Sequence, residues 1–148
     1  MLADVLSEET VVPDLDAGAK SEVVDLLLDV LCGTGKVLDR EQARRDLEDN
    51  DRRTSVGMEH GIAIPHAKTD AVPELVACIG VTRQPLDIES LDGHPAQIFI
   101  MTLSPKDASG PHIRFLSEIG KLLKHRAKRK AVLKAATRSD LLHALLSR

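Results

Sequence analysis

Six histidines carry most of the chemistry this chain could perform: His60, His66, His94, His112, His125 and His143. The sequence holds no nucleophile elbow, no zinc-protease helix and no paired-cysteine metal motif. His66 closes the string Gly61-Ile62-Ala63-Ile64-Pro65-His66-Ala67-Lys68. Pro65 has a locked φ and no N–H, so a strand over 62–64 is expected to lose its ladder there. The imidazole then projects from a strand end, where α/β proteins usually bind ligands. A solvated loop histidine is the plain alternative. His112 follows Pro111, which is expected to start a helix. At helical spacing His112 shares a face with Leu116, Ile119 and Leu123, which turns it toward the body of the protein. A helix N-terminus offers unpaired N–H groups and roughly half a positive charge, which favours an anion and disfavours an imidazolium. Here the plain alternative is a core histidine bonded to backbone.

The two together suit phosphoryl transfer through a covalent intermediate. That chemistry needs one neutral imidazole as nucleophile, donors around the phosphoryl oxygens and exclusion of competing water. Metal binding is the rival, with His60 or Asp70 as third ligand, but no tight ligand spacing supports it. His94 follows Asp92-Gly93 in an expected turn, and His125 and His143 lie in a basic helical tail, so these three read as surface residues. Gly33-Thr34-Gly35-Lys36 is not a phosphate loop. Its glycines follow a helix, and Val37 stands where a hydroxyl is required. A glycine C-cap accounts for it.

These residues must be positioned by a chain of 148 residues and 16.1 kDa, which is one domain's worth, read as residues 1–148. Hydrophobic residues at 43% and charged residues at 29% place it among globular chains, not disordered ones. Val11-Val12-Pro13 reads as a short extended segment. A helix is expected over 19–32, with Val23, Val24, Leu27, Leu28 and Leu31 on one face. A more polar helix over 39–49 is opened by Asp39 as N-cap. The apolar runs 75–81 and 96–103 read as strands buried on both faces, separated by turn signals at Gln84-Pro85 and Asp92-Gly93. A long helix runs from Pro111 to about 125, and Ser139 or Asp140 caps a last one. The order of helices, strands and helices predicts an α/β fold, a mixed sheet covered by helices.

Composition excludes several functions. Only Phe99 and Phe115 are aromatic, so no stacking platform for single-stranded nucleic acid exists. No apolar run approaches the roughly 20 residues that span a bilayer, so membrane insertion is not expected. The first nine residues carry acids where a signal peptide needs lysines, and Cys32 and Cys78 form neither a metal spacing nor a disulfide framework. A cytoplasmic location is the expectation. Net charge is −3 but uneven: residues 1–60 hold 7 Lys+Arg against 15 Asp+Glu, whereas residues 111–148 hold 10 against 2. A basic tail could attract nucleic acid or an acidic partner. No recognition motif accompanies it, and its lysines interleave with a helical apolar pattern, so a solvated helix face is the reading and no nucleic-acid partner is expected.

Gly61-Ile62-Ala63-Ile64-Pro65-His66 resembles the active-site signature of the enzyme IIA domain of the bacterial phosphoenolpyruvate-dependent sugar phosphotransferase system (PTS EIIA type-2). That is the fructose/mannitol class, which includes the nitrogen-regulatory enzyme IIA. The resemblance extends to Lys20-Ser21-Glu22, Asp92-Gly93-His94-Pro95-Ala96, Ser104-Pro105 and Gly110-Pro111-His112-Ile113. It implies a mixed parallel and antiparallel sheet flanked by helices on both faces. It implies that His66 accepts a phosphoryl group from the histidine-containing phosphocarrier protein, with His112 steadying the phosphoryl oxygens. The group would pass to an enzyme IIB or serve as a regulatory signal, with no cofactor and no metal. The chain also departs from the pattern. Where the family has Arg-Glu, sixteen and fifteen residues before the active histidine, this chain has Asn50 and Asp51. Where it has Ser-Thr, the chain has Ser55-Val56. Asparagine lacks the planar donors and fixed charge of a guanidinium. Arg52 and Arg53 lie close by as substitutes, on what reads as a loop. The loss of arginine keeps a second function open: a non-phosphorylated sensor on the same fold, regulating a transporter or kinase.

Overall fold

Two strands with nearly unbroken apolar sequences make the centre of the molecule. The computed structural model describes residues 1–53, 59–88 and 93–147. In chain order its elements are α1 (Leu2–Val5), a 3-10 turn (Glu8–Thr10), β1 (Val11–Leu15), α2 (Lys20–Cys32), α3 (Arg40–Arg53), β2 (Ile62–Ala63), β3 (His66–Lys68), β4 (Val76–Leu86), β5 (Ala96–Ser104), α4 (Ser109–Leu123), α5 (Arg126–Lys134) and α6 (Arg138–Leu146). The central strands β4 and β5 pair antiparallel, with Ile79 opposite Ile100 and Ala77 opposite Thr102. β1 adds to β4 in parallel, and β2 and β3 add in parallel to the far side of β5.

Side chains alternate across a pleated strand, so a strand apolar throughout needs cover on both faces. Cys78, Phe99, Met101 and Leu103 pack with Leu27, Leu28, Leu31 and Leu47 of α2 and α3. Ala77, Ile79, Val81, Ile98 and Ile100 pack with Phe115, Ile119, Val132 and Leu141 of α4, α5 and α6. The expected mixed sheet with helices on both faces is what forms. Gly80 lets the α2 layer come close: a Cβ there would lie 2.9 Å from Leu27 Cδ2 and 3.0 Å from Leu15 Cδ2. No described helix is long and apolar enough to cross a membrane.

Several boundaries differ from the sequence reading. The polar helix runs on to Arg53, because Asn50, Asp51, Arg52 and Arg53 continue it without an apolar face to announce them. Two cations in the last turn suit the negative end of its dipole. Asp39 does accept from Gln42 N–H, 3.1 Å, as the N-cap should. Gly33 caps α2 in a right-handed conformation, and the left-handed residue is Gly35, at φ +80. Gln84-Pro85 lies inside β4, where pairing with β5 is irregular between Val81 and Leu86, so it makes no turn. α4 begins at Ser109, not Pro111, and proline is tolerated there because first-turn N–H groups have no helical partner. The last helix is capped by Thr137, whose hydroxyl accepts from Asp140 N–H at 3.0 Å; Ser139 and Asp140 lie inside the helix. Asp92 and the Ser55-Val56 pair lie outside the described residues.

Candidate functional site

His66 owes its position to a strand that is interrupted but does not end. β2 and β3 keep one register along β5, with Ile62 opposite Ile98, Ala63 opposite Phe99 and His66 opposite Thr102. Pro65 cannot donate, yet its carbonyl accepts from Thr102 N–H at 3.1 Å. The ladder therefore resumes at His66, and the expectation that it stops at Pro65 is corrected. Upstream, Gly61 at φ +74 turns the chain so that its carbonyl accepts from both Gln97 and Ile98 N–H. His66 is half-buried, and its Nδ1–H donates to the Ile64 carbonyl at 2.6 Å. A carbonyl can only accept, so this bond sets the tautomer and leaves Nε2 with the free lone pair.

His112 comes from the opposite element. In the first turns of α4 it lies on the same buried face as Phe115, Ile119 and Leu123, and it is only 7% exposed. Its ring centroid lies 6.0 Å from that of His66, the planes tilted by 45°. Its Nε2 is 2.8 Å from Thr102 Oγ1. Burial, then the His66 ring, then the Lys68 ammonium push its pKa below the ordinary histidine value, which favours the neutral form of His112. Lys68, two residues along β3 from His66 and thus on the same strand face, donates to Ser109 Oγ at the start of α4. Sequence reasoning missed Thr102 and Lys68. Thr102 was detectable as a hydroxyl inside a run expected to be buried, where a polar side chain needs a partner.

The remaining predicted positions gather at the end of α3. Asn50 is half-buried, and Arg52 and Arg53 are exposed. These three lie on helix, not loop. At 100° per residue Arg52 is turned about 200° from Asn50 and Arg53 only about 60° from it. Arg52, 73% exposed, pairs with Asp49 at 3.3 Å. Asp51 takes the Lys20 ammonium at 2.8 Å, joining α3 to the start of α2 beside a cleft of about 210 Å³ that Pro65 also lines. The other histidines, His60, His94, His125 and His143, are exposed, and His60 lies 3.8 Å from Glu59. Asp70 pairs with Lys106 at 3.4 Å. Among the described residues, no three His, Cys, Asp or Glu side chains stand together as a metal site.

Fold and site thus define an α/β protein with two neighbouring histidines where a parallel edge strand meets a helix start. A sequence model of the family described as phosphoenolpyruvate-dependent sugar phosphotransferase system, EIIA 2, matches residues 4–148, and the chain belongs to that family. It is 30% identical over 122 residues to a fructose-specific EIIA component of Haloferax volcanii, covering 82% of this chain and 79% of that protein. It is also 30% identical over 141 residues to the fructose-specific EIIABC component of Bacillus subtilis, covering 95% of this chain but only 22% of that longer protein. Solved structures with the same fold include the nitrogen regulatory protein IIA-Ntr of Neisseria meningitidis, with TM-score 0.84 at 21% identity over 97% of this chain and 98% of that one. Another is the Escherichia coli complex of enzyme IIAMTL and phosphorylated enzyme IIBMTL, with TM-score 0.81 at 16% identity over 97% and 98%.

Proposed function

We propose that residues 1–148 act as one phosphoryl-carrier domain in which His66 is the acceptor. The carrying observation is the 2.6 Å bond from His66 Nδ1–H to the Ile64 carbonyl, which makes Nε2 the lone-pair nitrogen that can act as nucleophile. The Nε2 lone pair attacks phosphorus as the P–N bond to the donor's histidine breaks, and the donor nitrogen keeps that electron pair. The donor is the histidine-containing phosphocarrier protein. In onward transfer a cysteine thiolate of an enzyme IIB attacks phosphorus, and the bonding pair returns to Nε2. The phosphorylated IIB in the E. coli complex supports that acceptor, and the nitrogen regulatory neighbour supports the variant in which phosphohistidine is itself the signal. His112 steadies the phosphoryl oxygens; its neutrality and its place 6.0 Å from His66 support that role. Partners dock on the apolar surface around the pair, where Ile64 is half-buried and Ile113 is 66% exposed, not on the basic tail.

The test is transfer of labelled phosphate from phosphoenolpyruvate through enzyme I and the phosphocarrier. The label on this chain should be acid-labile and base-stable, and absent from His66→Ala. The second reading, a non-phosphorylated sensor for a transporter or kinase, is favoured by Asn50 in the family's arginine position. An unlabelled wild-type chain would favour it over the carrier reading.

A further inference from the structure

We infer that Thr102 is a positioning residue that sets the tautomer of His112, so that His112 offers its Nδ1–H to the group carried on His66. The inference rests on the carrier reading for its purpose and on the geometry of the resting chain for its substance. Thr102 is fully buried and stands opposite His66 in the sheet register. Its N–H holds the Pro65 carbonyl and its hydroxyl meets His112 Nε2 at 2.8 Å, so one β5 residue locates both histidines.

The direction of the hydroxyl bond follows from what each atom can do. Among the described residues Thr102 Oγ1 has no hydrogen-bond partner besides His112 Nε2. Were Nε2 the donor, the buried hydroxyl proton would have no acceptor among the described residues, a costly arrangement in a dry interior. With Thr102 donating, Nε2 is the lone-pair nitrogen and the single proton of neutral His112 sits on Nδ1. Phosphoryl oxygens only accept, so a neutral imidazole can steady them only through an N–H. The opposite tautomer would present a lone pair to an anion and repel it. The same logic places the His66 proton on Nδ1 as well, since the Ile64 carbonyl takes it and Nε2 is left with the lone pair. Both neighbouring histidines are thus held as the Nδ1–H tautomer, one by an acceptor at Nδ1 and one by a donor at Nε2, and they turn different atoms to the carried group: His66 its Nε2 lone pair, His112 its Nδ1–H.

Nitrogen-15 NMR of the full chain at alkaline pH, where both rings are neutral, reads the tautomers directly. His112 should carry its proton on Nδ1 in the wild type and in Thr102→Ser, and should shift toward Nε2–H in Thr102→Val. The phosphohistidine on His66 should be hydrolysed roughly 10-fold faster in Thr102→Val, the low end of what losing an orienting hydrogen bond behind a site costs. Thr102→Ser should restore the wild-type lifetime. An Nε2-protonated His112 in the wild type, or an unchanged tautomer in Thr102→Val, overturns the inference. If Thr102→Val does not fold, the wild-type and Thr102→Ser tautomers still decide it. Absence of any phosphohistidine in the wild type would defeat the carrier reading and leave the tautomer result standing.

Discussion

The two flanks of His66 are built on opposite physical terms. On the α4 flank, His112 and Thr102 are buried, neutral and held by β5 register and helix packing. On the α3 flank half-buried Asn50 stands among half-buried or exposed charged side chains whose charges are spent locally, Lys20 on Asp51 and Arg52 on Asp49. The family pattern survives where geometry is set by a packed core and lapses where it depends on one long side chain at a helix end. A buried donor cannot be replaced from a neighbouring position, because its direction is set by the fold. A surface cation acts over several ångströms, is screened, and can be exchanged at small cost to stability.

Removing His66, the proposed nucleophile that both flanks adjoin, should give the largest effect. His66→Ala should abolish the acid-labile label, and label persisting at wild-type level in that variant would end the carrier reading. On the packed flank, His112→Ala should slow onward transfer by about 100-fold, the scale of losing one preorganised donor, with far less effect on folding. A loss below about threefold would mean that the packed flank matters no more than the wet one. On the wet flank, Asn50→Arg should accelerate phosphorylation roughly 5- to 30-fold, from replacing a neutral hydrogen bond by a charge-assisted one worth about 1–2 kcal/mol more. If Arg53, turned toward Asn50, already supplies the charge, Asn50→Arg changes little and Arg53→Ala carries the loss. In either case Arg52→Ala should be nearly silent. Wild-type rates in all three variants would leave the wet flank without any part in transfer.

Smaller effects sharpen the contrast. His112 is neutral in the fold at pH values where a free histidine is protonated, because its folded pKa is the lower of the two. Between that depressed value and about 6.5 the unfolded chain binds more protons, so folding stability should fall as pH drops through this window. Denaturant melts of His112→Gln should lose that part of the slope; an unchanged slope would assign it elsewhere. Smallest of all, reversing Lys128, Arg129 and Lys130 to glutamate should alter the transfer rate less than twofold. Arg129 instead donates to the Leu123 and Lys124 carbonyls at the end of α4, so its loss should appear as about 1 kcal/mol of stability. A large fall in transfer rate at moderate salt would move the docking site to the tail.

The amphipathic face of α2, the two strands buried on both faces and the pairing of His66 with His112 were all legible in the linear chain. The first two are local patterns, a 3.6-residue stripe and unbroken apolar runs, and local patterns express backbone geometry directly, whereas the pairing was legible only through the resemblance of the strings around the two histidines to the family. Missed features depended on partners distant in sequence. Pro65 interrupts the edge strand without ending it because Thr102 lies across from it and supplies a donor to its carbonyl. Thr102 gained a role because the β5 register set it against His66 while α4 brought His112 over it. The extension of α3 to Arg53 carried no apolar stripe, so the order of residues did not distinguish its last turn from a loop. Composition and periodicity decided which elements form and which faces they bury. Register across the sheet and the seating of α4 decided which polar atoms meet, because those contacts join positions that no local pattern relates.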